Sequence, residues 1–286
     1  MKEVIEFKKQ REVGAIITDM FKFIRLEGKT LGLLILKISG PAMLVVVVSY
    51  VYYMQSTLGD FERIFSGSNL VTNAILSVII LVCAYIAFYA LLHGTVFGYI
   101  KNYIENEGNV DEEEVTRLAR SSFWSYVGLN IIVGIIVGIG TVLCILPGIY
   151  LGVCLSLSYP IFMLERRDLG SAINNCFKLI KDEWWITFAT LIVIYVLYYV
   201  IALIFQIPQL IYYFSKMFTM MEEVSRNPFE IIDWVSITLD IIAMIAQYFL
   251  FAIILIGTAF IYFHLNEKKN FTGTIETIDR LGEREL

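Results

Sequence analysis

The sequence predicts an all-α membrane protein with six transmembrane helices in three hairpins, each preceded by a cytoplasmic amphipathic interfacial helix. Three observations carry this. Of the 286 residues 58% are hydrophobic and 17% charged, and the mean hydropathy is +0.71, more apolar surface than a soluble domain of this size can bury. The 20 Phe and 17 Tyr gather toward the ends of the apolar runs, at the depth where amphipathic rings meet lipid headgroups. Lysine and arginine fall mainly in alternate connections, as they do when those connections stay on one side of a membrane.

In chain order, MKEVIEFKKQRE is charged and lacks a small-x-small cleavage site, so the N-terminus is expected to stay uncleaved. Residues 12–27 place Val13, Ile16, Ile17, Met20, Phe21 and Ile24 on one helical face, with Lys22 and Arg25 elsewhere around it. Residues 31–53 form the first span. A polar loop, STLGDFERIFSGSN, precedes the second span at 71–99, whose helical pattern continues toward Glu105. Asp111 and Glu114 have capping-box spacing, which reads DEEE as a solvated helix start.

The third span, 123–144, carries Gly128, Gly134, Gly138 and Gly140, and the fourth, 149–164, opens with Gly148 and Gly152. Small residues four apart let helices approach closely in a bilayer, so these two spans are expected to pack as a tight hairpin with Leu146, Pro147 and Gly148 as its turn. Residues 170–183 repeat the amphipathic pattern, with Lys178 and Lys181 on the polar face. Trp184 and Trp185 are interfacial anchors where the fifth span begins. That span is expected to run to about Phe205 before Pro208 bends or ends it. Residues 207–233 form the longest connection, and 235–263 the sixth span.

With six spans both termini share one side. Seven Lys and Arg lie before residue 30, three in 101–121, four in 165–183 and four in the tail. Only Arg63, Lys216 and Arg226 lie on the other side, and Lys37 lies within a span. This bias places both termini in the cytoplasm. The segment GAIITDMFKFIRLEG aligns with GSAINNCFKLIKDEW at an offset of 156 residues, and GTVFGY echoes GTAFIY. A single membrane domain of three repeat units is expected, 12–105, 111–168 and 169–267, with 268–286 as a cytoplasmic tail.

The stretch LPGIYLGVCLSLSYPIFMLE, followed by an amphipathic helix ending in KDEWW, resembles the polytopic membrane-domain family fused to some bacterial glycerophosphodiester phosphodiesterases and found also as stand-alone membrane proteins. The likeness covers residues 146–185, with weaker likeness over the other spans and GTIETIDRLGE. It implies the architecture and a bacterial cytoplasmic (inner) membrane location. In the fused members the chemistry belongs to a separate soluble barrel where histidine and carboxylates hold a metal. No stretch here is long enough for such a domain, so the resemblance transfers no catalytic residue and no cofactor.

Ionisable groups inside spans are the usual pointers to function, because each is costly in hydrocarbon unless paired or wetted. Lys37 lies about 9 Å past the start of the first span, where its flexible stem can return the ammonium to the interface. Asp240 lies at similar depth from the other side, and Gln247 shares its helical face. The two form a candidate polar path or an interhelical hydrogen-bond seam. His93 is a weaker candidate for a proton relay. The four cysteines form no disulfide framework or metal spacing.

These features point to a non-enzymatic integral membrane protein, a scaffold or accessory component of a membrane process. The partners expected are membrane lipids, anionic ones included, and a membrane protein or a second copy of the chain, with no nucleic acid. The alternative is a transporter or channel for a lipid or small solute using a polar path near Asp240 and Gln247. A lipid-modifying enzyme ranks third.

Overall fold

A helix buried in lipid keeps all its backbone hydrogen bonds within itself, so apolar runs of this length become long helices. The computed structural model describes residues 4–57, 69–166, 168–219, 233–275 and 278, and among them there is no strand. The polar loops holding Arg63 and Arg226, and Arg167, lie outside the described residues. Nine helices follow in order: α1 (Val13–Thr57), α2 (Asn69–Glu105), α3 (Glu112–Ser121), α4 (Phe123–Leu143), α5 (Ile145–Ser156), α6 (Ser158–Leu164), α7 (Leu169–Ile180), α8 (Trp184–Thr219) and α9 (Trp234–Asn270). Six stretches are long and apolar enough to cross a membrane: most of α1 and α2, all of α4, α8 and α9, and α5 with α6. The chain is therefore an integral membrane protein by length and composition of its helices.

The first amphipathic helix and the first span are one continuous helix. Gly28 does not break it, and Pro41 is also contained within it. The apolar face of its first turns does not lie against open lipid. Ile16, Met20 and Phe23 are buried in the protein, and Glu27 is buried with them. Likewise α8 does not stop near Phe205. It runs through Pro208 to Thr219, so residues 207–219, expected in a connection, are helical. A proline inside a transmembrane helix is tolerated where neighbouring helices satisfy the freed carbonyl.

α1 packs most extensively on α2, α8 on α9, and α4 on α5. In the antiparallel α8–α9 pair Ile194 meets Gly257, Gln209 meets Asp240 and Lys216 meets Asp233. At Gly257 an added Cβ would stand 2.6 Å from Ile194 Cδ1 and 3.2 Å from Met20 Sδ, so a side chain here would push the ends of Ile194 and Met20 aside where three helices meet.

α3 starts where DEEE predicted a helix start. The Asp111 side chain accepts from the backbone N–H of Glu113 and Glu114. The reciprocal half of the box is made differently. Asn102 Oδ1 accepts the Asp111 N–H at 2.8 Å, while Glu114 pairs with Arg117 at 2.7 Å. α7 is capped by Asp168, whose carboxyl is held below its usual range by the Ser171 hydroxyl and backbone N–H. Its apolar face turns inward. Ala172, Cys176, Leu179 and Ile180 are buried, and burial together with nearby Cys154 pushes the Cys176 thiol up to about 12.

The α4–α5 hairpin departs from expectation in three respects. Its reversal is the single extended residue Cys144, so Leu146, Pro147 and Gly148 form the first turn of α5. There the missing proline N–H is harmless, because first-turn N–H groups have no intrahelical acceptor. The glycine stripe is used at one end only. A Cβ at Gly148 would meet Thr141 Cα at 2.8 Å, whereas nothing lies within 4 Å of one at Gly134 or Gly138.

Third, the Tyr150 ring stacks on Trp184 with centroids 5.6 Å apart. Tyr150 is only about 9 Å along the helix from Cys144, far short of a hydrocarbon core of roughly 30 Å. The hairpin turn and the Trp184 end of α8 therefore do not stand on opposite faces of a bilayer. The reason is the path of α7, which folds back beside α5 and α6 and delivers α8 next to Tyr150. In a chain whose other cysteines are replaced, spin labels at Cys144 and at a Trp185→Cys site should give a mean separation below roughly 25 Å. A separation well beyond the roughly 30 Å core would contradict this packing.

Candidate functional site

Asp240 enters the bundle two turns into α9, where an isolated carboxylate would be costly. It is enclosed by donors from two other helices. The Tyr50 hydroxyl of α1 donates to Oδ2 at 2.9 Å. From α8, Gln209 Nε2 donates to Oδ1, and the Tyr213 hydroxyl reaches both oxygens at 3.3 and 3.2 Å. Gln209 and Tyr213 lie four residues apart, so one face of α8 presents both to Asp240. This is possible only because α8 continues past Pro208.

About two helical turns away, Asp233 caps α9 through a reciprocal bond with Ser236 and also takes Lys216 at 2.7 Å and the Tyr212 hydroxyl at 2.5 Å. Burial pushes the Asp233 carboxyl up, but the bonds from Lys216, Tyr212 and Ser236 outweigh it and hold the group well below the usual carboxylate range. The α8–α9 ends are thus fastened by two adjacent polar locks. Gln247, half-buried and roughly 10 Å further along α9, makes no hydrogen bond to this group among the described residues.

Lys37 is elsewhere. Its ammonium reaches Glu112 at the start of α3, 3.3 Å away, with both side chains more than half exposed. Helical side chains lean toward the N-terminus, which on α1 carries the ammonium back along the helix. Exposed pairs of this kind are worth about 0–1 kcal/mol. Lys37 and Asp240 therefore belong to different sites.

His93 is buried in a ring stack. It lies 4.3 Å from the Tyr159 ring at 10°, with Tyr126 and Phe97 further out. Its Nδ1 is 2.6 Å from the Tyr89 carbonyl, which assigns that nitrogen the proton. The Tyr126 hydroxyl donates to the Tyr159 carbonyl at 3.2 Å, so His93 joins α2, α4 and α6.

At the opposite end of α9 from Asp240 the structure holds what the sequence pattern did not indicate. The charged N-terminal segment is a plug. Ile5 and Phe7 are buried, and Phe7 stacks on Phe260 at 4.6 Å and meets Phe23, Tyr103 and Phe263 edge-on or tilted. Arg11, 7% exposed, ties the segment down. Its guanidinium donates to the Phe7, Lys9 and Glu6 carbonyls, pairs with Asp19 at 2.8 Å and lies over the Phe260 ring at 5.1 Å. The available signal was the pair of apolar residues Ile5 and Phe7 on either side of Glu6 within an otherwise charged segment.

Carboxylates recur as fasteners at this end. The Tyr99 hydroxyl donates to Glu27 at 2.7 Å and the Tyr262 hydroxyl to Glu165 at 3.0 Å, so the two tyrosines of the GTVFGY and GTAFIY echoes each bind a carboxylate of another element. Glu267 accepts from the backbone N–H groups of Gly273 and Thr274 at 2.6 and 3.0 Å and holds the start of the tail against α9. Trp184 stacks inward on Tyr150 and Phe188, whereas Trp185 is 75% exposed. Lys22, Arg25, Lys178 and Lys181 are all exposed at the surfaces of α1 and the α7 end.

Between these elements lies a cavity of about 490 Å³, lined by Lys8, Lys101, Glu105, Glu165, Tyr262 and Asn266 among others. Lys101 is 6% exposed and donates to the Met163 carbonyl at 3.1 Å. Among the described residues no group of three or more metal-ligating side chains occurs.

The Asp240 lock makes an energetic prediction. Interhelical hydrogen bonds in bilayers average about 0.6 kcal/mol and reach about 1.7. Tyr50→Phe and Tyr213→Phe should each lower unfolding stability in detergent by about that much. Asp240→Ala should cost more than either, because it strands donors from α1 and α8 together. In a double-mutant cycle the Tyr50→Phe loss should largely vanish in the Asp240→Ala background, and full additivity would show that the two side chains do not interact. Comparison of the chain with known protein families, with curated proteins and with solved structures finds no match.

Proposed function

We propose that the chain is a non-enzymatic, lipid-interacting integral membrane protein of the bacterial cytoplasmic membrane, serving as a scaffold or accessory component of a membrane process. The observation that carries this reading is the use made of Asp240. The carboxylate that looked most like a step on a polar path is occupied by Tyr50, Gln209 and Tyr213, which bind three helices into one unit. Filled acceptors fasten helices, whereas a translocation path needs groups that exchange partners with a solute or water. This favours the scaffold over the transporter or channel alternative.

Both termini are assigned to the cytoplasm, on the Lys and Arg bias of the connections. The three repeat units remain part of the proposal, with α1–α2, α3–α6 and α7–α9 as their helices. The likeness of residues 146–185 to the stand-alone members of the phosphodiesterase-fused membrane-domain family supports the same reading. The exposed basic residues Lys22, Arg25, Lys178 and Lys181 then stand at the cytoplasmic rim, where each is worth about 1 kcal/mol of attraction to an anionic leaflet.

A scaffold has a partner. Affinity purification of the full chain in several mild detergents should return a reproducible membrane-protein partner or a stable homo-oligomer, and Asp240→Asn should leave that recovery intact if the protein stays folded. Recovery of the lone monomer under every solubilising condition would contradict the scaffold reading. Solute uptake that depends on Asp240 in vesicles reconstituted with the purified chain would favour the transporter.

A further inference from the structure

The N-terminal strap that precedes α1 is closely seated on the bundle. A Cβ added at Gly108 would stand 2.9 Å from Val4 Cγ2, and one at Gly273 would stand 2.5 Å from the Lys8 carbonyl oxygen, so the α2–α3 turn and the tail grip the strap from two sides. The Arg11 bonds to the Glu6, Phe7 and Lys9 carbonyls lie within the strap and fold it into one unit. Four contacts fasten that unit to the bundle. Two are the Phe7 ring in its aromatic socket and the Arg11 guanidinium, which pairs with Asp19 and lies over Phe260. The other two are backbone N–H groups: Ile5 donates to the Tyr103 hydroxyl and Arg11 to His264 Nδ1, each at 3.0 Å.

Of these two acceptors, the imidazole is the side-chain type that changes charge near neutral pH. Its Nδ1 accepts only while it carries no proton. An imidazolium donates from both nitrogens, so protonation sets a donor against the Arg11 N–H and removes the acceptor that this group has in the bundle. The charges facing the ring act in the same direction. Lys268 stands one turn further along α9, Arg11 comes from the strap and Glu183 from the turn before α8, while Asp19 of α1 is engaged by Arg11. Glu183 already holds Lys268 at 2.6 Å. A new positive charge on the ring therefore meets two cations and one carboxylate that is already paired.

We infer that His264 is a proton-operated latch on the N-terminal strap: the neutral ring holds the strap in its socket, and the protonated ring releases it as a unit. The sign follows from linkage. The released state binds the extra proton, so retention of the strap falls as pH falls through the His264 titration and returns as pH rises. Release uncovers the socket of Phe23, Tyr103, Phe260 and Phe263. The latch works through the strap contacts alone and is independent of the scaffold reading, and on the proposed topology it responds to cytoplasmic pH.

A spin label on the strap tests it, placed at a Lys9→Cys site in the full-length chain with its other cysteines replaced, since the Lys9 side chain is exposed. Between about pH 8 and pH 4 the mobile fraction of the label should rise reversibly by at least about tenfold. Its midpoint should coincide with the titration of His264 followed by NMR of the ring-labelled chain, in which His93 is the one other histidine. His264→Asn keeps an oxygen acceptor that does not titrate, and should hold the label immobile across the range. His264→Phe removes the acceptor and should free the label at every pH. A label that stays immobile through the His264 titration overturns the inference. So does release of the His264→Asn chain at the same pH as wild type, which would assign the effect to a carboxylate such as Asp19. If the Asn variant does not fold, the two wild-type midpoints decide: coincidence supports the latch, and separation overturns it.

Discussion

A carboxylate within hydrocarbon-spanning helices has to be neutralised, wetted or fully hydrogen-bonded, and this chain takes the third course at Asp240. Breaking such a half-buried arrangement by removing one partner is unfavourable, because it leaves a charge or several donors unpaired. The lock therefore dictates other features. Tyr50 must be reached by a long unbroken α1, and Gln209 and Tyr213 must be presented by an α8 that continues through Pro208. Tyr99 on Glu27, Tyr262 on Glu165 and Lys216 on Asp233 apply the same rule at other levels of the bundle.

The other end of the bundle is closed by apolar packing with a charged strap. Phe7 fills a socket made by Phe23, Tyr103, Phe260 and Phe263, and Arg11 holds the segment by binding the carbonyls of the same strap. The N-terminus thereby becomes one wall of the cavity through Lys8, and the tail another through Thr272, which is near the Glu267 lock. Helices distant in sequence meet here, so a polar cavity at this end is shared by the first and last segments of the chain.

Helices and their apolar faces were legible in the sequence because they depend on local pattern. Asp111 and Asp168 cap where short polar side chains precede a helix, and the Ala172, Cys176 and Ile180 face is buried as its spacing implies. The partners of Asp240 were not legible, since Tyr50 lies 190 residues away and any span-end tyrosine reads equally well as a headgroup anchor. Pro208 read as a stop because proline breaks soluble helices, whereas in a packed membrane bundle the helix persists. The direction of the α4–α5 hairpin was hidden for a related reason. Its apolar turn carries no charge to fix a side, and only the stacking of Tyr150 on Trp184 places it.

The central claim is that the interior polar groups of α9 fasten helices and do not line a water-filled path. Cysteines introduced singly at Ala243 and Gln247, on the face that carries Asp240, test it directly in a chain lacking the native cysteines. A water-soluble thiol reagent should modify both about tenfold or more slowly than a cysteine at exposed Thr219. Modification of 243 and 247 as fast as 219 would contradict the account and place water along that face.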